Sequence, residues 1–241
     1  MRGIMPEPAS SFAGEIDSII NTINWVVGVW FVFAILLLVG FALMFRRKEG
    51  VPAQYIAGNT PKQLGILLTL VALIAVFDFG MDISNIKVWH EIKIDQAPYS
   101  DPTAQRVRVE AAQWMWSFVY AGADGKFDTE DDVTTDEMHV KLNNLVVYEL
   151  RSKDVLHSFG VPNMRVKMDV VPGRMYQGWF TPIKEGTFDL HCAEICGRGH
   201  GDMASHVVVE SPEKFNSWMK EQVAANQAAH STDTVAALTV K

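Results

Sequence analysis

From Ile19 to Phe45 the chain reads IINTINWVVGVWFVFAILLLVGFALMF, 27 residues without a formal charge. A helix needs roughly 20 predominantly apolar residues to cross the ~30 Å hydrocarbon core of a bilayer, and this run exceeds that length. A cleaved secretory leader has a shorter apolar core that starts closer to the N-terminus. A membrane span is therefore the first element that the sequence dictates.

A second apolar run, QLGILLTLVALIAVFDFGM at residues 63–81, is shorter and carries Asp78 near its end. Alone it would also suit a buried helix; beside the first span it reads as the second leg of a two-helix hairpin. The connecting segment RRKEGVPAQYIAGNTPK sets Arg46, Arg47, Lys48 and Lys62 against the single acid Glu49. The positive-inside rule puts this loop in the cytoplasm and both flanks of the hairpin outside. An acid at membrane depth is a functional candidate by default. Asp78 lies close to the outer end of its run, and simple access to water is the preferred reading.

Beyond about residue 104 the pattern changes to period two. RVRVEAAQWMWSFVY, EMHVKL, NLVVYELRS, GTFDLHC and ASHVVVES are short alternating or β-branched runs separated by Gly, Pro, Asn and Asp. They predict a small β-sandwich or barrel. SPEKFNSWMKEQVAANQ opens with a capping Ser211 and an early proline and reads as a closing helix; AAHSTDTVAALTVK reads as a weakly ordered tail. The expected divisions are 1–18 (outer N-terminal segment), 19–82 (hairpin, spans about 19–45 and 63–81), 83–227 (outer β-domain with its helix) and 228–241 (tail). The formal net charge of −7 argues against nucleic acid as a partner.

The only two cysteines fall in HCAEICGRGHGDM, residues 191–203. Two are too few for a disulfide scaffold, although one short bridge or a redox pair would satisfy the spacing. Cys192, Cys196, His200 and Met203 supply thiolate, imidazole and thioether, soft or borderline ligands that suit copper. Two thiolates on one tight loop can bridge a pair of ions, and a second imidazole would then come from elsewhere. His157, in the strand-like DVLHSFGVPNMRVKMDVVPGR, is the candidate. Cys192, Cys196, His200 and His157 would equally satisfy zinc, leaving Met203 without a role; ligand softness favours copper. His139 and His206 fall inside alternating strands and read as surface positions. His191 precedes Cys192 directly, so its side chain points the other way on an extended chain.

These residues closely resemble a known family. HCAEICGRGHGDM resembles the CuA loop of cytochrome c oxidase subunit II, and the His157 segment is similar to the one that carries that family's remote histidine. QWMWSFVY is similar to its aromatic stretch, and the hairpin followed by an outer β-domain matches its architecture. The resemblance covers roughly residues 15–225. It implies a membrane-anchored α+β chain: a transmembrane hairpin, a cupredoxin-like β-sandwich or barrel, and a C-terminal helix. It further implies a binuclear mixed-valence copper centre bridged by Cys192 and Cys196. His157 and Met203 would complete one ion, His200 and the backbone carbonyl of Glu194 the other. The Glu194 carboxylate would bind magnesium at the interface with the catalytic subunit.

On the same resemblance, Trp114 is the tryptophan where electrons enter from cytochrome c. Trp116, two residues on, is expected on the same strand face, in core or interface packing. Met115 stands where relatives usually carry tyrosine. The expected partners are subunit I with its haem and copper, subunit III, cytochrome c, and the lipid of a bacterial or mitochondrial inner membrane. No catalytic residue is expected in this chain, because dioxygen reduction would occur in subunit I.

The outer region, 83–241, carries more acids than bases, which suits a basic donor. Within it DGKFDTEDDVTTDE has some calcium-loop character, but Lys126 occupies a position where an acid or amide is wanted. GNTPKQLG lacks the glutamate with which many relatives begin their second helix, so no proton-entry role is carried over. A quinol oxidase subunit would typically lack the copper ligands. A copper-storage module would not need His157, the tryptophan pair and the hairpin together. A nitrous oxide reductase would need a large further domain, and CxxCH, the mark of a fused cytochrome c, is missing.

Overall fold

The computed structural model describes residues 5–52, 55, 57–122 and 124–238. It divides into two compact units: Glu15–Ile94, and Met1–Gly14 together with Asp95–Lys241.

The first unit is helical. α1 runs Ala13–Met44 and α2 runs Pro61–Trp89. Thr60 caps α2 reciprocally: its hydroxyl accepts from the Gln63 amide while the Gln63 side chain accepts from the Thr60 amide. This capping box, with proline in the first turn, fixes where the helix starts. Both helices are long and apolar enough to span a bilayer, and neither apolar stretch is buried within the protein. Leu36, Leu38, Val76 and Phe79 are each about two-thirds exposed. The helices touch through Trp30, whose indole meets Phe77 edge-on at 5.8 Å. α2 continues well past the expected limit of residue 81, through Trp89 and then a π-helical turn, His90–Ile94. Asp78 thus lies inside a continuous helix rather than at its end. Residues 53, 54 and 56 of the connecting loop are outside the described residues.

The second unit is a two-sheet sandwich. A short helix α3 (Ala97–Ser100) leads into β1 (Gln105–Ala112), β2 (Met115–Tyr120), β3 (Val133–Thr135), β4 (Met138–Lys141) and β5 (Val146–Ser152). There follow β6 (His157–Val161), β7 (Val166–Val170), β8 (Met175–Phe180), β9 (Gly186–Cys192), β10 (Ala204–Glu210) and α4 (Pro212–Leu238). One sheet has the order β3-β2-β1-β5-β8, the other β4-β10-β9-β6-β7. The β1–β5 and β4–β10 pairs are parallel; the remaining pairs are antiparallel. Alternating side chains fill the space between the sheets: Val107, Val109, Phe118, Leu150, Phe159, Phe180, Leu190 and Val207 are all fully buried.

The N-terminal residues join this second unit. The Ala9 amide donates to Asn163 O at 2.8 Å and its carbonyl accepts from the Ile183 amide at 2.9 Å. The Ser10 hydroxyl donates to Met164 O at 2.7 Å, and Phe12 packs edge-on against Trp179.

Four expectations are corrected. The 1–18 segment is not separate, because residues up to Gly14 pair with the sandwich. The boundary expected at 82/83 falls at 94/95, since helical hydrogen bonding continues past the apolar run. RVRVEAAQWMWSFVY is not one strand but a hairpin, with Ala112 opposite Met115 across the Gln113–Trp114 turn. The closing helix continues through the expected tail to Leu238, where alanines sustain helical backbone; residues 239–241 lie outside the described residues.

Candidate metal centre

The topology of the second sheet assembles the site. β6 begins at His157, the antiparallel β9 ends at Cys192, and β10, antiparallel to β9, begins one residue after Met203. All three therefore meet at one end of the sandwich. The exposed–buried alternation of β9 carries Phe188, Leu190 and Cys192 inward and turns His191 out to solvent. The Cys192 amide donates to Met203 O at 3.0 Å and the Ala193 amide to Ser158 O at 2.9 Å, closing the loop against both neighbours.

Within this frame the sulfur and nitrogen atoms form a contiguous cluster. Cys192 Sγ lies 3.7 Å from Cys196 Sγ, 3.8 Å from His157 Nδ1 and 3.2 Å from Glu194 O. Cys196 Sγ lies 3.6 Å from His200 Nδ1 and 3.8 Å from Met203 Sδ. The cysteines are free thiols, not a disulfide. Both are buried, as are Met203 and His157, while His200 is half-buried. Ligand atoms of His157, Cys192 and Cys196 all fall within 4.8 Å of one another, close enough to share a metal. Burial, together with the adjacent Cys192 thiol, pushes the Cys196 thiol up to about 11. A Cys196 thiol raised in this way holds its proton unless a cation compensates, so metal uptake there and proton release are linked.

Two surrounding residues that the sequence did not single out hold the cluster. Asp154 Oδ1 lies 2.8 Å from His157 Nε2. A carboxylate accepts, so Nε2 carries the proton and the Nδ1 lone pair faces the sulfur. Burial opposes the ionised Asp154, but hydrogen bonds from His157 and from the Gln113 and Val155 amides outweigh it and hold its pKa below the ordinary value. The Gln113 side chain donates to Cys196 O at 2.7 Å. Asp154 had a weak signal, three residues before the histidine; Gln113 arrives from the other sheet.

The tryptophans do not share a face. Trp114 sits in the β1–β2 turn and is 42% exposed, whereas Trp116 is buried and donates through Nε1 to Met203 O at 3.4 Å. His139, expected at the surface, is instead half-buried, stacked on Trp218 at 3.9 Å and paired with Glu210 at 3.1 Å. α4 covers that strand, which the alternation of β4 alone does not reveal. His206 is exposed and pairs with Glu137. At Glu194 the backbone carbonyl, not the carboxylate, reaches the sulfur.

The family described as cytochrome c oxidase subunit II, periplasmic domain, matches residues 106–211. The alternative cytochrome c oxidase subunit 2 of Bradyrhizobium diazoefficiens is 33% identical over 238 residues, covering 89% of this chain and 83% of that one. The chain belongs to the cytochrome c oxidase subunit II family. Cytochrome c oxidase subunit 2 of Cereibacter sphaeroides is 28% identical over 252 residues, covering 91% of this chain and 79% of its own. A crystal structure of the periplasmic domain of subunit II from Bradyrhizobium japonicum, 28% identical, aligns over 51% of this chain and 95% of that one with a TM-score of 0.44. As a subunit II, the chain is a cytochrome c oxidase component, built as a membrane-anchored helical hairpin with a cupredoxin-like domain and a C-terminal helix.

Proposed function

We propose that this subunit accepts electrons from cytochrome c and passes them to haem in subunit I, through a binuclear copper centre of its own. One observation carries the reading: two buried thiols, two imidazoles, a thioether and a backbone carbonyl stand in a single chain of contacts between 3.2 and 3.8 Å. This donor set is soft and uses Met203, which a zinc site would leave idle. Cys192, Cys196, His157, Met203, His200 and Glu194 O would hold the pair. When bound, the copper pair supplies a one-electron relay whose charge change is shared over two ions.

The protein's part is to keep the donors still. Asp154 fixes the His157 ring, Gln113 pins the Cys196 carbonyl and Trp116 pins that of Met203. With Trp114 exposed beside the loop, a donor could dock there, and the acidic outer domain would draw a basic cytochrome by long-range attraction. The Glu194 carboxylate would hold magnesium where subunit I docks. Residues preceding α1 belong to the same body as those from Asp95 onward, which supports a hairpin with both flanks on the outer side of an inner membrane.

The purified oxidase complex provides the test. We expect two copper ions at this chain, and an electron paramagnetic resonance signal split by an electron shared over two equivalent nuclei. A mononuclear copper signal, or stoichiometric zinc, would refute the assignment.

A further inference from the structure

The metal loop carries three glycines in five residues, Gly197, Gly199 and Gly201, and they are not equivalent. A Cβ added at Gly201 would meet nothing within 4 Å. At Gly199 it would lie 2.6 Å from Cδ2 and 2.7 Å from Cγ of Trp114, inside van der Waals contact with the body of the indole. At Gly197 it would meet Gln113 Nε2 at 2.8 Å and the Trp114 indole at 3.3 Å. Gly197 has φ +127°, so glycine is needed there for the backbone itself. Gly199 has φ −91° and ψ 17°, which other residues adopt without strain. The bare α-carbon at 199 is thus explained by the indole lying on it and not by the backbone.

We propose that Gly199 is a positioning residue: its missing side chain seats the Trp114 indole directly on the loop backbone between Cys196 and His200, and this contact is the route by which an electron reaches the metal ligands. The indole has one face on the loop and is 42% exposed, so it touches both the ligand loop and whatever docks outside. At Gly199 the atoms nearest a side chain would all belong to the Trp114 ring, and the next residue along is His200. An alanine at 199 must lift the ring, because the contact is with the ring atoms nearest its attachment and not with a flexible end. The inference rests on the proposed role of Trp114 in accepting electrons.

The test compares Gly199→Ala, Gly201→Ala and Trp114→Phe. In the detergent-solubilised full chain with fluorine-labelled tryptophans, the Trp114 resonance is identified by its loss in Trp114→Phe. We expect Gly199→Ala to shift that resonance and raise its solvent exposure, and Gly201→Ala to leave it in place. In the assembled oxidase, Gly199→Ala should slow donor-to-copper electron transfer several-fold with the copper spectrum unchanged, and Gly201→Ala should match the parent. An unmoved indole in Gly199→Ala, or a displaced indole with parental electron transfer, would overturn the proposal. A parental rate in Trp114→Phe would remove the role of Trp114 itself, a separate failure that leaves the packing contact intact.

Discussion

The two units of this subunit use the same kind of side chain in opposite ways. In the sandwich, Phe159, Leu190 and Val207 are fully buried and the charged residues lie mostly outside. In the hairpin, Leu36, Phe79 and Ile83 are mostly exposed, and no residue of α2 is buried at all. Water rewards the first arrangement, at roughly 25 cal/mol per Å² of apolar area removed from it. Only a hydrocarbon solvent tolerates the second. Each half thus reports its own solvent, and a substitution that is costly in one should be cheap in the other.

The sharpest way to break this contrast is to truncate a core ring. Phe159 lies between Trp116 and Tyr148, with ring centroids at 5.9 and 5.1 Å, and pairs with Cys192 across β6 and β9. Phe159→Ala should cost about 3–5 kcal/mol of sandwich stability. Metal retention should fall with it, because the cavity opens directly behind the Cys192 thiol. Thermal unfolding followed by the copper absorption measures both. A loss below about 1 kcal/mol, typical of surface sites, would mean that the sandwich core is not continuous with the site.

The converse experiment belongs to α1. Leu36→Asp should cost ~2.5–3.5 kcal/mol of insertion free energy if that residue sits near the bilayer centre. In an insertion assay the hairpin should be recovered less often in the membrane. An equal charge placed at Lys167, which is exposed on β7, should change neither stability nor metal content measurably. If Leu36→Asp inserts as well as the parent, α1 is not a lipid-facing span.

Between these extremes lies the polar frame around the site. Asp154→Ala removes the acceptor for His157 Nε2 and for two backbone amides together. Partners of this kind typically govern metal affinity by 10–100-fold, so competition with a copper chelator should show a loss in that range. The fold should persist, since Asp154 lies in a partly exposed turn. Unchanged affinity would show that packing by Trp116, whose ring centroid lies 6.2 Å from that of His157, orients the imidazole unaided.

What the sequence revealed, and what it hid, follows the same division. A long uncharged run has one physical outcome, so both helices were legible, although the extension of α2 to Trp89 was not: helical hydrogen bonding does not stop where hydrophobicity does. The loop from Cys192 to Met203 was legible because its ligands are local in sequence. His157 needed the remote strand and came from the resemblance and a shortage of nitrogen donors. Gln113 was invisible because its role depends on a β1–β2 turn arriving from the opposite sheet, and Asp154 had only the weak signal of standing three residues before His157. The pairing of Trp114 with Trp116 failed for the same reason. Period-two reasoning holds within a strand, and Trp114 occupies the turn, where the alternation is reset.

The mildest prediction concerns the segment before α1, where the two modes of burial meet in sequence. Ala9 and Ser10 are as buried as the sandwich core, yet α1 begins at Ala13. Ser10 donates its hydroxyl to Met164 O in a buried setting, and its backbone bridges Pro182. Ser10→Ala removes the donor and leaves a buried carbonyl short of a partner, which should cost about 1–3 kcal/mol. Met164 follows the β6 strand that starts at His157, but the strap lies at the far end of that strand from the imidazole. The copper spectrum should therefore stay unchanged while hydrogen exchange at the Ala9 and Ser11 amides quickens. Exchange at parental rates would show that the backbone bonds of Ala9, Ser11 and Ile183 hold the segment without the hydroxyl. A shifted copper spectrum would instead reveal that strain at the strap travels along β6 to the metal, making the N-terminal segment part of the site's support and not only of the fold.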